Sequence, residues 1–168
     1  MVVLRIGVFA AAVLAASPSA AHVSVQPTTA AGGSYQVFRF GLGHGCDAKA
    51  TTALRIEIPA GVATARPQPK PGWTLRIERP PGQADAVSAI TWRGALPPDQ
   101  FEEFVVLTKL PPGDGSPLPF PATQSCGTTQ VRWVEVTRPG AARSEHPAPT
   151  VTLVPAAPPP EGAHEHHH

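Results

Sequence analysis

Two antiparallel β-sheets packed face to face, built from about seven to eight short strands, are what this sequence predicts. Three observations carry that prediction. Apolar and polar residues alternate with period two in segment after segment, Pro (22) and Gly (15) are abundant between those segments, and helix-forming runs of Leu, Lys and Glu are absent. The 168 residues suit one domain, not two.

Residues 1–21 are expected to stand outside that fold. Arg5 carries the one early positive charge, residues 6–16 are apolar, and Ser17-Pro18-Ser19-Ala20-Ala21 supplies small residues. This is the order of a secretory signal peptide, with cleavage between Ala21 and His22. An apolar run of about 11 residues is too short to span a bilayer. No second such run follows, so no membrane contact is expected after cleavage, and the location expected is periplasmic or secreted.

The predicted domain covers 22–154, and segment 22–25 opens it. Phe38 and Phe40 share one face of 35–40, and Leu54, Ile56 and Ile58 alternate with Arg55 and Glu57. In 73–78 the odd positions are apolar and the even ones polar, which describes a half-buried strand. Ile90 and Trp92 share a face in 87–93, with Trp73 and Trp92 both read as core residues. Residues 104–107 form an apolar run that suits a central strand, Val134 and Val136 share a face of 130–137, and Val151 and Leu153 share a face near the end. The connections are turn-forming, from Pro59-Ala60-Gly61 to Pro111-Pro112-Gly113-Asp114-Gly115, and prolines there end ladders. Strands of this length and spacing point to an immunoglobulin-like (fibronectin III-like) sandwich. The tail, 155–168, is rich in Pro, Ala and His and is expected to be disordered. Its final histidines read either as a truncated affinity tag or as a metal-attracting tail, and the interruption by Glu165 favours the second.

With 13 basic and 12 acidic residues the formal net charge is +1, and no Lys/Arg cluster occurs, which excludes a nucleic-acid partner as a working reading. Export gives the two cysteines a meaning. An even count without a CxxC motif, in an oxidising compartment, predicts a Cys46–Cys126 disulfide.

The chemistry centres on His22. As a first residue it offers an α-amine and an imidazole that both lose protons near neutral pH, and together these chelate one ion. Two nitrogens in a plane suit tetragonal Cu(II). In the precursor the amine is tied up in a peptide bond, so cleavage creates the site. His44 lies in the glycine-rich corner Gly41-Leu42-Gly43-His44-Gly45-Cys46, beside the predicted bridge. Glu103 sits in Phe101-Glu102-Glu103-Phe104, an acidic pair flanked by apolar residues, where an exposed strand carboxylate is the bland alternative. Trp133 shares a face with Val131 and Glu135, opposite Val134 and Val136, and this suggests an indole on the more polar face; a core tryptophan is the default against which that stands.

Six segments carry a family resemblance: Ala21-His22-Val23-Ser24-Val25, Pro71-Gly72-Trp73, Ile90-Thr91-Trp92-Arg93-Gly94, Gln100-Phe101-Glu102-Glu103-Phe104, Phe120-Pro121-Ala122-Thr123-Gln124 and Val131-Arg132-Trp133. In this order, over about residues 22–154, the chain resembles the YcnI-like copper-binding family. The resemblance implies an immunoglobulin-like domain outside the cytoplasm that handles copper. It implies Cu(II) held by the N-terminal histidine through amine and imidazole, with an acidic residue and a tryptophan nearby. These fall on His22 and Trp133. The acid has no clean counterpart: the chain reads Gly43-His44 at that position, so His44 is placed there and Glu103 is the second choice. The membrane anchor frequent at the family's C-terminus has a His-rich tail in its place.

The function expected is a non-enzymatic copper chaperone or buffer, whose partners are the copper ion and another copper-handling protein. A histidine-brace copper oxidase or oxygenase, and a sandwich that binds protein without metal, are the alternatives. One Tyr and three Trp leave little from which to build the flat aromatic face such an oxygenase needs. Mass spectrometry of the exported protein should find His22 as residue one, and a retained Ala21 would remove the amine from the site.

Overall fold

The computed structural model describes residues 22–46, 48–136, 140 and 144–156. The expected signal peptide and residues 157–168 of the expected tail lie outside the described residues. Twelve strands form. They are β1 (Val23–Gln26), β2 (Thr29–Ala31), β3 (Tyr35–Leu42), β4 (Thr51–Glu57), β5 (Thr64–Pro67) and β6 (Thr74–Glu78). After these come β7 (Ala89–Leu96), β8 (Glu102–Lys109), β9 (Pro117–Pro119), β10 (Ala122–Cys126), β11 (Thr129–Trp133) and β12 (Thr150–Val154). Among the described residues no helix is long and apolar enough to cross a membrane.

The strands make one sheet of order β1-β3-β8-β5, a second of order β11-β10-β4-β7-β6, and a small third of order β2-β12-β9. Every pairing is antiparallel except β12 with β2. The all-β sandwich predicted from periodicity is therefore the fold observed. Four of its strands, β2, β5, β9 and β10, were not legible as such. Three of them are only three or four residues long, and β5 and β9 carry prolines, which lack the N–H of a regular ladder residue.

Alternation places the core between the two large sheets. Phe38, Phe40, Phe104 and Val106 point inward from the first sheet, and Leu54, Ile56, Ile90 and Trp92 from the second, all with no measurable exposure. Phe120 meets Phe38 and Phe40 at ring-centroid distances of 5.5 and 5.4 Å, and Phe104 meets Trp92 at 5.4 Å. Such tilted aromatic pairs add to area burial. Trp73 is only half-buried, lying edge-on to Phe104 at 5.0 Å. It covers Gly94, where any Cβ would collide with the indole. The β6 segment is an edge strand with Thr74 to Arg76 exposed, more open than its alternation suggests.

Cys46 and Cys126 form the predicted disulfide, with a Cα–Cα distance of 6.0 Å. It pins the β3–β4 connection to the last residue of β10, and so ties the first sheet to the second at one end. Thiol titration of the denatured, unreduced protein should find no free sulfhydryl. Reduction should lower stability by about 2–5 kcal/mol in denaturant unfolding.

Candidate metal centre

The candidate site lies at the bridged end of the sandwich. Val23 pairs with Leu42, so His22 stands one step beyond the β1–β3 ladder, level with the corner that starts at Gly43. His22 is half-buried, and its imidazole packs on the indole of Trp133 at 5.5 Å between centroids, tilted by 51°. Trp133 is the last residue of β11, opposite Ala122. It is 4% exposed and belongs to the core cluster. The face assignment from sequence is thus reversed: Trp133 faces inward, while Val134 and Val136 are exposed at 37% and 54%. The ladder ends at Trp133, so the alternation of 130–137 does not run through as one strand. The inward indole still reaches His22, and its Nε1 is buried without a hydrogen-bond acceptor.

The corner is held by a polar hub. Gln124, fully buried on β10, donates from Nε2 to the hydroxyl of Thr51 at 2.8 Å and to the backbone oxygen of His44 at 3.1 Å. The backbone N–H of Cys46 donates to Cys126 Sγ at 3.2 Å. Gly45 is obligatory here, because a Cβ would run into the carbonyl oxygen of Lys49. The Nδ1 of His44 lies 2.8 Å from the Gly45 oxygen. A carbonyl only accepts, so Nδ1 donates in this contact, and in the neutral form of the ring the lone pair falls on Nε2. That Nε2 is enclosed by protein and has no hydrogen-bond partner among the described residues.

Glu103 is placed differently. It lies opposite Gly41 on the outward face of the first sheet, and its carboxylate is 3.9 Å from Arg39 Nε. Both side chains are about half-exposed, at 49% and 53%. Its neighbour Glu102 is bound to Lys70 at 2.7 Å. Burial works against ionisation of Glu102. Hydrogen bonds from Lys70 and from the Glu103 N–H, with the Lys70 charge, more than offset it and hold the carboxyl below its usual range.

His146 was missed by sequence reasoning. It stands in Ser144-Glu145-His146-Pro147, a polar stretch without period or glycine signature, where a lone histidine carries no signal. The structure fixes it by tertiary bonds. Its backbone oxygen accepts from the N–H groups of Val134 and Glu135, both at 3.1 Å, and its own N–H donates to the Glu135 carboxylate at 3.1 Å. Its imidazole then packs on Trp133 at 5.1 Å, tilted by 53°.

His22 and His146 therefore meet one indole, while His44 holds the adjoining corner and Glu103 is engaged elsewhere. Among the described residues no three His, Cys, Asp or Glu side chains converge as a ready metal cluster. The donor type nevertheless fits copper, since two half-buried imidazoles, of His22 and His146, lie against one indole.

Residues 22–153 match the family described as "Domain of unknown function (DUF1775)". Over 98 residues the chain is 28% identical to the copper-binding protein CutI of Bacillus subtilis (strain 168). That match covers 56% of this chain and 46% of CutI, so it spans less than half of the relative's length. Among solved structures, the chain is similar to an uncharacterized protein from Nocardia farcinica whose crystal structure reveals an immunoglobulin-like fold. There the TM-score is 0.70 at 33% identity, covering 79% of this chain and 98% of the other. These matches bear out both the immunoglobulin-like sandwich and the resemblance carried by the six motifs.

Gln124→Leu keeps the volume and removes both donated bonds, stranding Thr51 Oγ1 and the His44 oxygen in the interior. Denaturant unfolding should show a loss of about 1–3 kcal/mol. An unchanged midpoint would mean the hub is not what holds the corner.

Proposed function

The chain belongs to the DUF1775 family, and from that premise we propose that it is an exported copper-binding protein, a chaperone or buffer that holds one Cu(II) through His22. The observation that carries this reading is the contact between the His22 imidazole and the buried indole of Trp133. Packing on a core residue limits the rotamers of His22 and orients its ring. A preoriented imidazole loses less freedom on chelation than one free in solvent. After cleavage at Ala21 the amine and imidazole of His22 bind the ion as one bidentate unit, in the nitrogen environment that Cu(II) favours. CutI is a copper-binding protein by name, which supports the same cargo here.

Of the further donors, His44 supports this reading with a lone pair that no group uses. Glu103 supports it less, because its carboxylate faces Arg39 on the outward side of the sheet. Binding without catalysis is favoured over an oxygenase by the fate of the tryptophans. Trp92 and Trp133 are buried in the core, so among the described residues neither offers an exposed aromatic face beside His22. A protein that hands copper on, or receives it, is the partner implied.

Cu(II) is paramagnetic, so a titration read by fluorescence reports its distance from the indoles. With His22 as first residue, one equivalent of Cu(II) should quench part of the emission, and Trp133→Phe should remove that quenched part while binding persists. A form extended by one residue before His22 should bind far more weakly. Equal binding by the extended and processed forms would overturn the reading.

A further inference from the structure

The nitrogen that joins His22 in holding the ion has so far rested on His44, yet the geometry around Trp133 favours another residue. His146 and His22 pack on one indole, with centroids at 5.1 and 5.5 Å and nearly equal tilts of 53° and 51°. Both residues are half-buried, so both rings sit at the boundary between core and solvent, where an arriving ion has access. His44 differs: its free nitrogen is enclosed, and reaching an ion would require the ring to leave the Gly45 oxygen or the corner to open.

The backbone of His146 is anchored for such a role. Three hydrogen bonds tie it to Val134 and Glu135, immediately after Trp133, and Ala148 N–H adds a fourth to the Glu135 oxygen at 2.8 Å. His146 is therefore anchored directly beside Trp133, the residue on which the His22 ring also packs. The Glu135 carboxylate, bound to the His146 backbone N–H, adds a negative charge beside that residue, which favours a cation near it. The buried Nε1 of Trp133 is the independent sign of a ligand. An indole N–H only donates, so the partner it lacks is an acceptor, such as a water or anion that enters with a metal.

We propose that His146 is a copper ligand, the second imidazole of a three-nitrogen set whose other members are the amine and imidazole of His22, with Trp133 as the wall behind both rings. The proposal rests on the reading of His22 given above and goes beyond it by naming the donor that completes the site.

The test is pulsed electron paramagnetic resonance of the full mature chain, His22 first, with half an equivalent of Cu(II) so that only the tightest site fills. Two coupled imidazoles are expected. His146→Ala should leave one and weaken binding at least tenfold, the lower end of what even outer-shell losses cost. His146→Gln retains the backbone bonds and should behave alike, which guards against a folding artefact. His44→Ala should leave both imidazoles in place. If His146→Ala and His146→Gln retain two imidazoles and full affinity while His22→Ala abolishes binding, this proposal falls and the copper reading survives. Loss of one imidazole in His44→Ala, in place of the His146 variants, also overturns it. If His22→Ala binds as tightly as the parent, the copper reading itself has failed, and the proposal with it.

Discussion

The tie between the two large sheets at one end of the sandwich sets the position of everything around the candidate site. The Cys46–Cys126 bond does this covalently, and Gln124 does it through its hydrogen bond to the His44 backbone, while its second donor is used by Thr51 of its own sheet. Each depends on the other. A buried amide is tolerated only because its donors are used, and the corner takes its path only because Gly45 lets the chain approach Lys49. β3 delivers the corner and β10 receives it, so the ends of the first sheet's strands are indexed against β10 and β11. That index brings the start of β1 to the end of β11, and so brings His22 to Trp133.

Trp133 has two allegiances. Its faces are buried among aliphatic side chains and imidazoles, which makes it part of the core, while its N–H has nothing to donate to. An indole in a purely structural role is better placed with its nitrogen paired, as with Trp92, whose Nε1 donates to the Gln68 oxygen at 3.4 Å. The two tryptophans share burial and differ in satisfaction. That difference lies in hydrogen bonding alone, and it sets Trp133 apart from the other fully packed tryptophan.

The sandwich was legible because its central strands obey period two without interruption. Phe38 and Phe40, Leu54 and Ile56, and Ile90 and Trp92 each announce one buried face. The missing strands failed for identifiable reasons. Pro67, Pro117 and Pro119 sit at ladder positions where edges tolerate them, and β10 hides because its buried face contains Gln124, a residue that pattern reading assigns to solvent. The face expected for Trp133 is reversed because the strand ends at Trp133, so Val134 and Val136 do not continue its alternation. His22 and His44 could be picked out from a cleavage site and a glycine-rich corner, which are local signals. His146 could not, since what fixes it is a set of backbone bonds to residues 134 and 135 formed only in the folded chain. Site residues defined by chain chemistry are readable, whereas those defined by tertiary registry are not.

The parallel pairing of β12 with β2 has a consequence in time as well as in space. β2 follows β1 closely, and β12 follows the loop that carries His146, so the last strand locks beside the segment that holds the first residue of the domain. The contacts between His22 and Trp133, and between Trp133 and His146, join the two extremes of the domain's sequence. Long-range pairings of this kind close late, after the loop-closure entropy of the intervening chain has been overcome. A chain still emerging from a ribosome or a translocation channel has its leading histidine without its companions. A copy in which these late contacts have not closed keeps its first and last elements apart, so the surroundings of Trp133 report on completion of the whole domain.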